Sequence, residues 1–249
     1  MESNLAGTAD PTLASLSHKY WRGKTDGMHR HSEEEWFQKY AAELLAMLPL
    51  RGTLLDVGCG SCQVTTYLAQ VFEHVYAFDF SETMLSAGQE RIKSLGLTNI
   101  DLLSGRAQEF PKTAGRSDVI LSYGVIQYLT LADLVQHLRE CHRLLTDDGI
   151  VCAALIPNVA MRESYYRSRL VPAEAQFASR LRRWLRLTRR RLKGYLDKDP
   201  LWDGIGNWFR QSDIQQAARD VGFEAEFRNS WFYEYRFHAL LRPKTGSLR

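Results

Sequence analysis

Cysteine is scarce in this sequence, and long apolar segments are absent from it. Four cysteines among 249 residues are too few for a disulfide-held scaffold, so we expect a reducing compartment, the cytoplasm. No apolar segment is long enough to cross a bilayer, and residues 44–50 fall well short. Residues 1–10 hold no basic segment followed by an apolar one, which argues against a secretory signal. The length suits one large globular domain.

Charge is distributed unevenly along the chain. The formal net charge is +3, but residues 162–198 hold 12 Lys or Arg against 3 Asp or Glu, a local excess of +9. The rest of the chain therefore carries a net charge of −6. A nucleic-acid-binding protein that is basic throughout would not show this pattern, so we expect no nucleic-acid partner. One basic element is still suited to an anionic partner.

Short apolar segments alternate with helical patterns along most of the chain. The segments with strand composition are 53–57, 74–78, 100–103, 118–122, 150–156, 223–227 and 231–241. Helical patterns start at Ser32, cover 64–71, start at Ser81 and recur over 134–145 and 212–221. This alternation favours an α/β fold with a doubly wound, mostly parallel sheet.

Glycines and acids follow the ends of three predicted strands. Asp56 precedes Gly58 and Gly60 after the first strand, Asp79 ends the second, and residues 122–124 end the fourth. Glycine lets the main chain approach a ligand closely and adopt φ values that other residues avoid. Ligands of open parallel sheets lie at the carboxyl ends of the strands. We therefore predict a ligand site at this edge of the sheet.

The first of these turns also limits the class of ligand. A dinucleotide-binding turn has a third glycine where Gln63 stands, and the Lys and Ser/Thr of a phosphate-binding P-loop are absent. Asp56 would repel a pyrophosphate but suits a ligand with a cationic end. A dinucleotide-dependent oxidoreductase is therefore a disfavoured alternative.

The turn Asp56-Val57-Gly58-Cys59-Gly60-Ser61-Cys62 resembles the first motif of the class I S-adenosylmethionine-dependent methyltransferases, which typically reads Asp-x-Gly-x-Gly-x-Gly. Residues 117–122 and 141–149 resemble later motifs of that family, in the same order. The resemblance implies an antiparallel carboxyl-terminal strand, S-adenosylmethionine as the cofactor and no metal. It also implies a set of cofactor-binding residues: Tyr20, Asp56, Gly58, Cys59, Gly60, Asp79, Phe80, Met84, Arg106, Ala107, Gln108 and Ser122.

Two positions depart from the family pattern. Asp79 stands where the family has an acid that binds the ribose hydroxyls, and residues 105–108 stand where its adenine-binding loop lies. In that loop Arg106 replaces the acid that meets the adenine amine, so recognition of the amine falls to Gln108 or to the main chain. Cys62 replaces the third glycine of the first motif.

Methyl transfer requires an acceptor held in line with the methyl–sulfur bond, and positioning supplies roughly 7–11 kcal/mol of the barrier reduction. An oxygen acceptor also needs a base of near-neutral pKa, usually histidine, whereas a nitrogen acceptor needs only deprotonation by solvent. The candidates for the acceptor side are Tyr123, Gln127, Tyr128 and His29, with His31 as a second histidine. Simple packing of Tyr128 and solvent exposure of His29 are the alternatives.

We divide the chain into an amino-terminal helical lid, residues 1–50, and a methyltransferase domain, residues 51–249. A basic helical cap is inserted in this domain at about 158–210. Its apolar residues recur on helical spacing and its arginines occupy other faces. Such a helix either packs on the domain, lies on an anionic membrane surface or covers an acidic substrate. Our hypothesis is a cover over the pocket of a small-molecule or glycan-type acceptor that is anionic or lipid-linked.

Two further alternatives stay open. Cys59-x-x-Cys62 permits a redox pair or part of a zinc site, although zinc needs two more ligands and Cys141 and Cys152 occur singly. A protein of this fold could also act without catalysis, by binding the cofactor or a membrane surface, because a fold alone does not establish a function.

Overall fold

The computed structural model describes Trp21 and residues 34–49, 52–166 and 205–244. Three residues predicted for the site, Tyr20, His29 and His31, lie outside this part of the chain, as do most of the predicted lid and residues 167–204 of the predicted cap.

Seven strands form one mixed sheet. They are β1 (Thr53–Val57), β2 (His74–Asp79), β3 (Ile100–Ser104), β4 (Ser117–Tyr123), β5 (Leu145–Pro157), β6 (Phe223–Asn229) and β7 (Arg236–Pro243). Their order is β3-β2-β1-β4-β5-β7-β6. Strands β1 to β5 pair in parallel, whereas β7 is antiparallel to both of its neighbours. The predicted sheet with its antiparallel carboxyl-terminal strand is confirmed.

Helices cover both faces of this sheet. They are α1 (Glu34–Leu45), α2 (Thr65–Leu68), α3 (Glu82–Ser94), α4 (Leu131–Leu144), α5 (Arg162–Tyr166) and α6 (Gln211–Asp220). Ser81 caps α3 as predicted, because its hydroxyl accepts a hydrogen bond from the Met84 N–H. Among the described helices, none combines the length and the apolar character that a membrane span requires.

The central strands are buried on both faces because successive side chains of a strand point to opposite sides. Leu54 of β1 packs with residues of α1 and α2, whereas Leu55 packs with residues of α4 and α6. Both leucines are fully buried. The strands thus form a rigid layer whose carboxyl ends carry the turns of interest.

Helix α1 belongs to the core although it lies within the region predicted as a lid. Phe37, Tyr40 and Leu44 are almost fully buried, in the same apolar cluster as Leu54 of β1. Glu43 on the same helix is 0% exposed. This part of residues 1–50 therefore packs on one face of the sheet, and the lid stays a prediction.

Three elements differ from their predicted bounds. Helix α2 is one turn long, because 3₁₀-type bonds, such as Val71 N–H to the Leu68 carbonyl, replace helical ones beyond it. Strand β5 begins at Leu145 instead of residue 150, and residues 147–149 form an irregularity within the strand. Strand β7 begins at Arg236 instead of residue 231, because the Arg236 N–H closes a turn on the Tyr233 carbonyl.

Candidate functional site

The turn after β1 places two glycines in left-handed conformations. The φ angles of Gly58 and Gly60 are +72° and +55°, a region that side chains disfavour. A Cβ on Gly58 would lie 2.5 Å from Val125 Cγ2, whereas a Cβ on Gly60 would meet no atom within 4 Å. Gly58 thus permits close packing on Val125, and Gly60 leaves open space at the turn.

Two buried carboxylates flank this turn. The Thr65 hydroxyl donates to Asp56 Oδ2 at 2.7 Å, which ties the end of β1 to the start of α2. Asp79 Oδ2 accepts from the Gly60 N–H at 3.0 Å, and Asp79 Oδ1 accepts from the Ser81 N–H at 2.9 Å. Asp79 therefore joins the glycine turn to the start of α3.

Burial controls the protonation of both acids. It raises the pKa of Asp56 to about 6, against the hydrogen bond from Thr65, which lowers the pKa. Burial also raises the pKa of Asp79, while main-chain hydrogen bonds from Ser81 and Gly60 oppose the rise. A cationic ligand would stabilise the ionised form of either acid, so the site is chemically suited to positive charge.

An open cavity lies at the carboxyl ends of β1 and β4. Its lining includes five residues predicted for the site, namely Asp56, Gly58, Cys59, Gly60 and Tyr123. It also includes four that were not predicted: Gln63, Val64, Thr65 and Leu121. The predicted edge of the sheet thus carries an open cavity.

Tyr123 is the acceptor-side candidate that reaches this cavity. Its hydroxyl is buried and has no hydrogen-bond partner among the described residues. Burial, and next the neighbouring phenol of Tyr40, raise the pKa of Tyr123 well above its ordinary value. The phenol therefore stays protonated and is suited to donate a hydrogen bond rather than to act as a base.

The other two described candidates of the acceptor side have partners within the protein. The Gln127 amide donates to the Gly124 carbonyl at 3.0 Å and accepts from Arg236 Nη1 at 2.9 Å. The ring of Tyr128 packs edge-on against that of Trp21, with 5.8 Å between ring centroids. Gln127 thus fixes the main chain after β4.

The remaining predicted cofactor residues lie outside the lining of this cavity. Ser122 is fully buried and pairs with His137, and Met84 is 2% exposed. Phe80 directly follows Asp79 and is half-buried. Arg106 is exposed, and its main chain pairs with that of Glu109. Ala107 and Gln108, both half-buried, complete the same loop.

Sequence reasoning missed a buried polar network beside Tyr123. Glu43 Oε1 accepts from His238 Nε2 at 3.0 Å and also from the Trp231 N–H. The hydroxyls of Tyr40 and Tyr233 are hydrogen-bonded to each other, and their rings are stacked. The sequence held one signal for this network: Glu43 is an acid that falls within the apolar pattern of α1. This network joins α1 to β7 behind the cavity.

The cysteine pair of the turn consists of thiols. All four cysteines of the chain are free. A hydrogen bond with Cys62, and next burial, raise the pKa of the Cys59 thiol well above its ordinary value, which disfavours the reactive thiolate. In the described residues no three His, Cys, Asp or Glu side chains are grouped so as to hold a metal ion.

Comparisons with known proteins agree with this geometry. Residues 54–149 match a family model described as a methyltransferase domain. The chain is 33% identical over 117 residues to a demethylmenaquinone methyltransferase of Listeria welshimeri, covering 45% of this chain and 48% of the relative. It is 32% identical over 126 residues to phosphoethanolamine N-methyltransferase 1 of Caenorhabditis elegans, covering 50% of this chain and 26% of that protein.

A solved structure extends the likeness of fold to most of the chain. Magnesium protoporphyrin IX methyltransferase from Synechocystis PCC 6803, with bound SAH, matches 93% of this chain and 95% of its own, with a TM-score of 0.56 and 17% identity. In the sequence comparison, by contrast, the aligned part of the chain covers about half the length of the Listeria relative. The predicted family resemblance and fold are confirmed.

Proposed function

We propose that this chain, whose residues 54–149 match a family model described as a methyltransferase domain, transfers a methyl group from S-adenosylmethionine to a small-molecule acceptor. The observation that carries the proposal is the cavity at the carboxyl ends of β1 and β4. Its glycine turn and the carboxylate of Asp56 face the same space. That lining contains no Lys or Arg to pair with a phosphate; it consists of Asp56, Gly58, Cys59, Gly60, Gln63, Val64, Thr65, Leu121 and Tyr123.

The residues present fit this cofactor. Gly60 leaves open space that a Cβ would occupy, and Asp56 provides negative charge for a cationic end. Asp79 holds the turn and offers carboxylate oxygens for the ribose hydroxyls. Phe80, Met84 and the loop of residues 105–108 are assigned to the base. When bound, the cofactor supplies a methyl group already activated on a sulfonium, and the protein supplies position.

We assign the acceptor side to the end of β4. The protonated phenol of Tyr123 donates a hydrogen bond to a polar atom of the acceptor, and Gln127 fixes the main chain that carries the phenol. Tyr128 closes the pocket with Trp21. His29 stays our candidate for a base toward an oxygen acceptor, and Tyr20 for a cofactor contact. The names of the Listeria and Caenorhabditis relatives, which specify small-molecule acceptors, support this acceptor class.

The finer assignments concern the basic cap and the compartment. We assign the cap, at about 158–210, to covering an acceptor of small-molecule or glycan type that is anionic or lipid-linked, and to contact with a membrane surface. Nucleic acid is not an assigned partner. We assign the protein to the cytoplasm, supported by its four free thiols. Sedimentation with acidic liposomes tests the membrane contact, and no binding at low salt would remove it.

Calorimetry and a transfer assay test the proposal. We expect S-adenosylmethionine to bind and NAD to leave no heat signal. Asp79→Ala should weaken binding by a few kcal/mol, because charge-assisted hydrogen bonds are lost. Asp101→Asn, at an exposed acid paired with His74, is the matched control that should leave binding unchanged. Release of S-adenosylhomocysteine with one of a panel of acceptors then identifies an enzyme. Cofactor binding without release from any acceptor would favour a non-catalytic binding protein, and NAD binding alone would overturn the proposal.

A further inference from the structure

His137 joins two walls of the proposed cofactor site from inside the core. It is fully buried on α4. Its Nδ1 lies 2.8 Å from the Ala107 carbonyl, and its Nε2 lies 2.9 Å from the Ser122 hydroxyl. Ser122 is adjacent to Tyr123 on β4, and Ala107 is the middle residue of the 105–109 loop. One imidazole therefore bridges the cavity strand and the loop.

These partners fix the form of the imidazole. A carbonyl oxygen can only accept a hydrogen bond, so Nδ1 carries the proton and donates a hydrogen bond to the Ala107 carbonyl. Nε2 then has a lone pair that accepts from the Ser122 hydroxyl, with the Cys141 thiol 3.6 Å away as a weaker neighbour. Burial lowers the pKa of His137 to about 4, which agrees with a neutral ring that has a defined donor and a defined acceptor. A neutral ring of this kind orients its partners without introducing a buried charge.

The loop that His137 holds is also anchored at its start by a main-chain bond and packs against the core through Ala107 and Phe110. The Gly105 N–H donates to the Asp79 carbonyl at 3.1 Å, which anchors the start of the loop to the end of β2. Arg106 and Glu109 pair through their main chains within the loop, and both residues are exposed. With Arg106 in place of an acid and exposed, recognition of a purine falls to the main chain at 107–108 and to Gln108. The position of that main chain depends on the bond from His137.

We propose that His137 is a positioning residue for purine recognition. Its ring bridges the Ala107 carbonyl and the Ser122 hydroxyl, and this bridge fixes the main chain of the loop, which distinguishes adenine from other purines. This proposal rests on the proposed function, since it requires that a nucleoside binds at this edge of the sheet. In this proposal the selectivity for adenine depends on a histidine of the core, where an acidic side chain of the loop would otherwise provide it.

The test compares two probes, S-adenosylhomocysteine and S-inosylhomocysteine, which differ in the substituent on carbon 6 of the purine. We expect the wild-type protein to prefer the adenine probe by at least tenfold in dissociation constant. His137→Leu should reduce that ratio at least fivefold. His137→Gln should restore most of it, because an amide can donate to Ala107 and accept from Ser122. General destabilisation would weaken both probes alike and leave the ratio unchanged.

Two further variants provide a control and a substitute for His137→Leu. His142→Leu, at an exposed position on the same helix, is the matched control and should keep the wild-type ratio. If His137→Leu does not fold, Ser122→Ala removes one bond of the bridge without a large cavity and should lower the ratio at least twofold. An unchanged ratio in the folded variant overturns the positioning role. If the wild-type protein binds neither probe, the proposed function itself has failed.

Discussion

The thiol of Cys62 occupies the space beside Gly88. A Cβ built on Gly88 would lie 3.0 Å from Cys62 Sγ, and Cys62 is fully buried with a φ of +58°. Cys62 stands in place of the third glycine of the motif and adopts a left-handed conformation, which glycine tolerates best. The larger side chain at position 62 is accommodated by Gly88 on α3, which has no side chain to occupy the space of the sulfur.

We therefore expect the effect of Gly88→Ala to depend on residue 62. In the wild-type background it should lower the free energy of unfolding by about 1–3 kcal/mol, because the new methyl group would force the buried sulfur to shift within a packed core. In a Cys62→Gly background the same change should raise it by up to about 1 kcal/mol, since alanine is the better helix residue. Denaturant unfolding of the four proteins measures the coupling. Equal effects in both backgrounds would contradict the packing relationship.

Asp56→Asn should stabilise the protein at neutral pH. Burial raises the pKa of Asp56 from 3.8 to about 6 in the folded state. The folded state thus binds the proton more tightly than the unfolded state, and stability is lost as pH rises between these values. The loss amounts to up to about 3 kcal/mol above pH 6. The neutral amide avoids it and still accepts from Thr65. Unfolding free energies at pH 4.5 and 7.5 should therefore differ less in the variant than in the wild type.

Affinity for S-adenosylmethionine should fall as the solution becomes more acidic than about pH 6. A cationic ligand favours ionised Asp56, whose pKa of about 6 makes binding release a proton below that value. We expect up to a tenfold loss of affinity per pH unit there. Calorimetry in buffers of different ionisation enthalpy measures the released proton. Asp56→Asn should bind more weakly at pH 7.5 and with a flatter profile, so a steep profile in that variant would assign the proton to another group.

Tyr123→Phe should reduce catalysis without reducing stability. The phenol is buried and unpartnered among the described residues, so its removal costs the folded state nothing. The loss of a donor to the acceptor molecule should lower kcat/KM about tenfold or more. Tyr40→Phe is the contrasting variant, since it breaks the bond with Tyr233 and should cost about 1 kcal/mol of stability. Unchanged kcat/KM in Tyr123→Phe would remove the phenol from the acceptor site.

Glu43→Leu should be among the more destabilising single changes in the chain. It leaves the ring N–H of His238 and the main-chain N–H of Trp231 without an acceptor in the core. We expect a cost of about 3 kcal/mol or more. Glu43→Gln keeps an acceptor oxygen and should cost less than half as much. Thermal and denaturant unfolding compare the two variants, and similar losses would assign the effect to packing instead of hydrogen bonding.

The elements that the sequence predicted are those specified by neighbouring residues. Apolar segments of strand length and the glycines after Asp56 identified the parallel sheet and its ligand edge, because strand and turn preferences act over a few residues. The cap at Ser81 was found for the same reason. The end of α2 and the start of β7 were misjudged, since 3₁₀ bonds and a turn closed by Arg236 depend on contacts beyond the local pattern.

The sequence by itself thus determined the sheet, the carboxylate–glycine turn and the resemblance to class I S-adenosylmethionine-dependent methyltransferases. The tertiary structure alone decided which residues meet. Glu43 and His238 are 195 positions apart, and they pair because α1 packs on the strand that carries His238. Ser122, His137 and Ala107 come together only when α4 covers the sheet. Such pairs are set by how the elements pack around a shared core, and no periodicity within one segment encodes that packing.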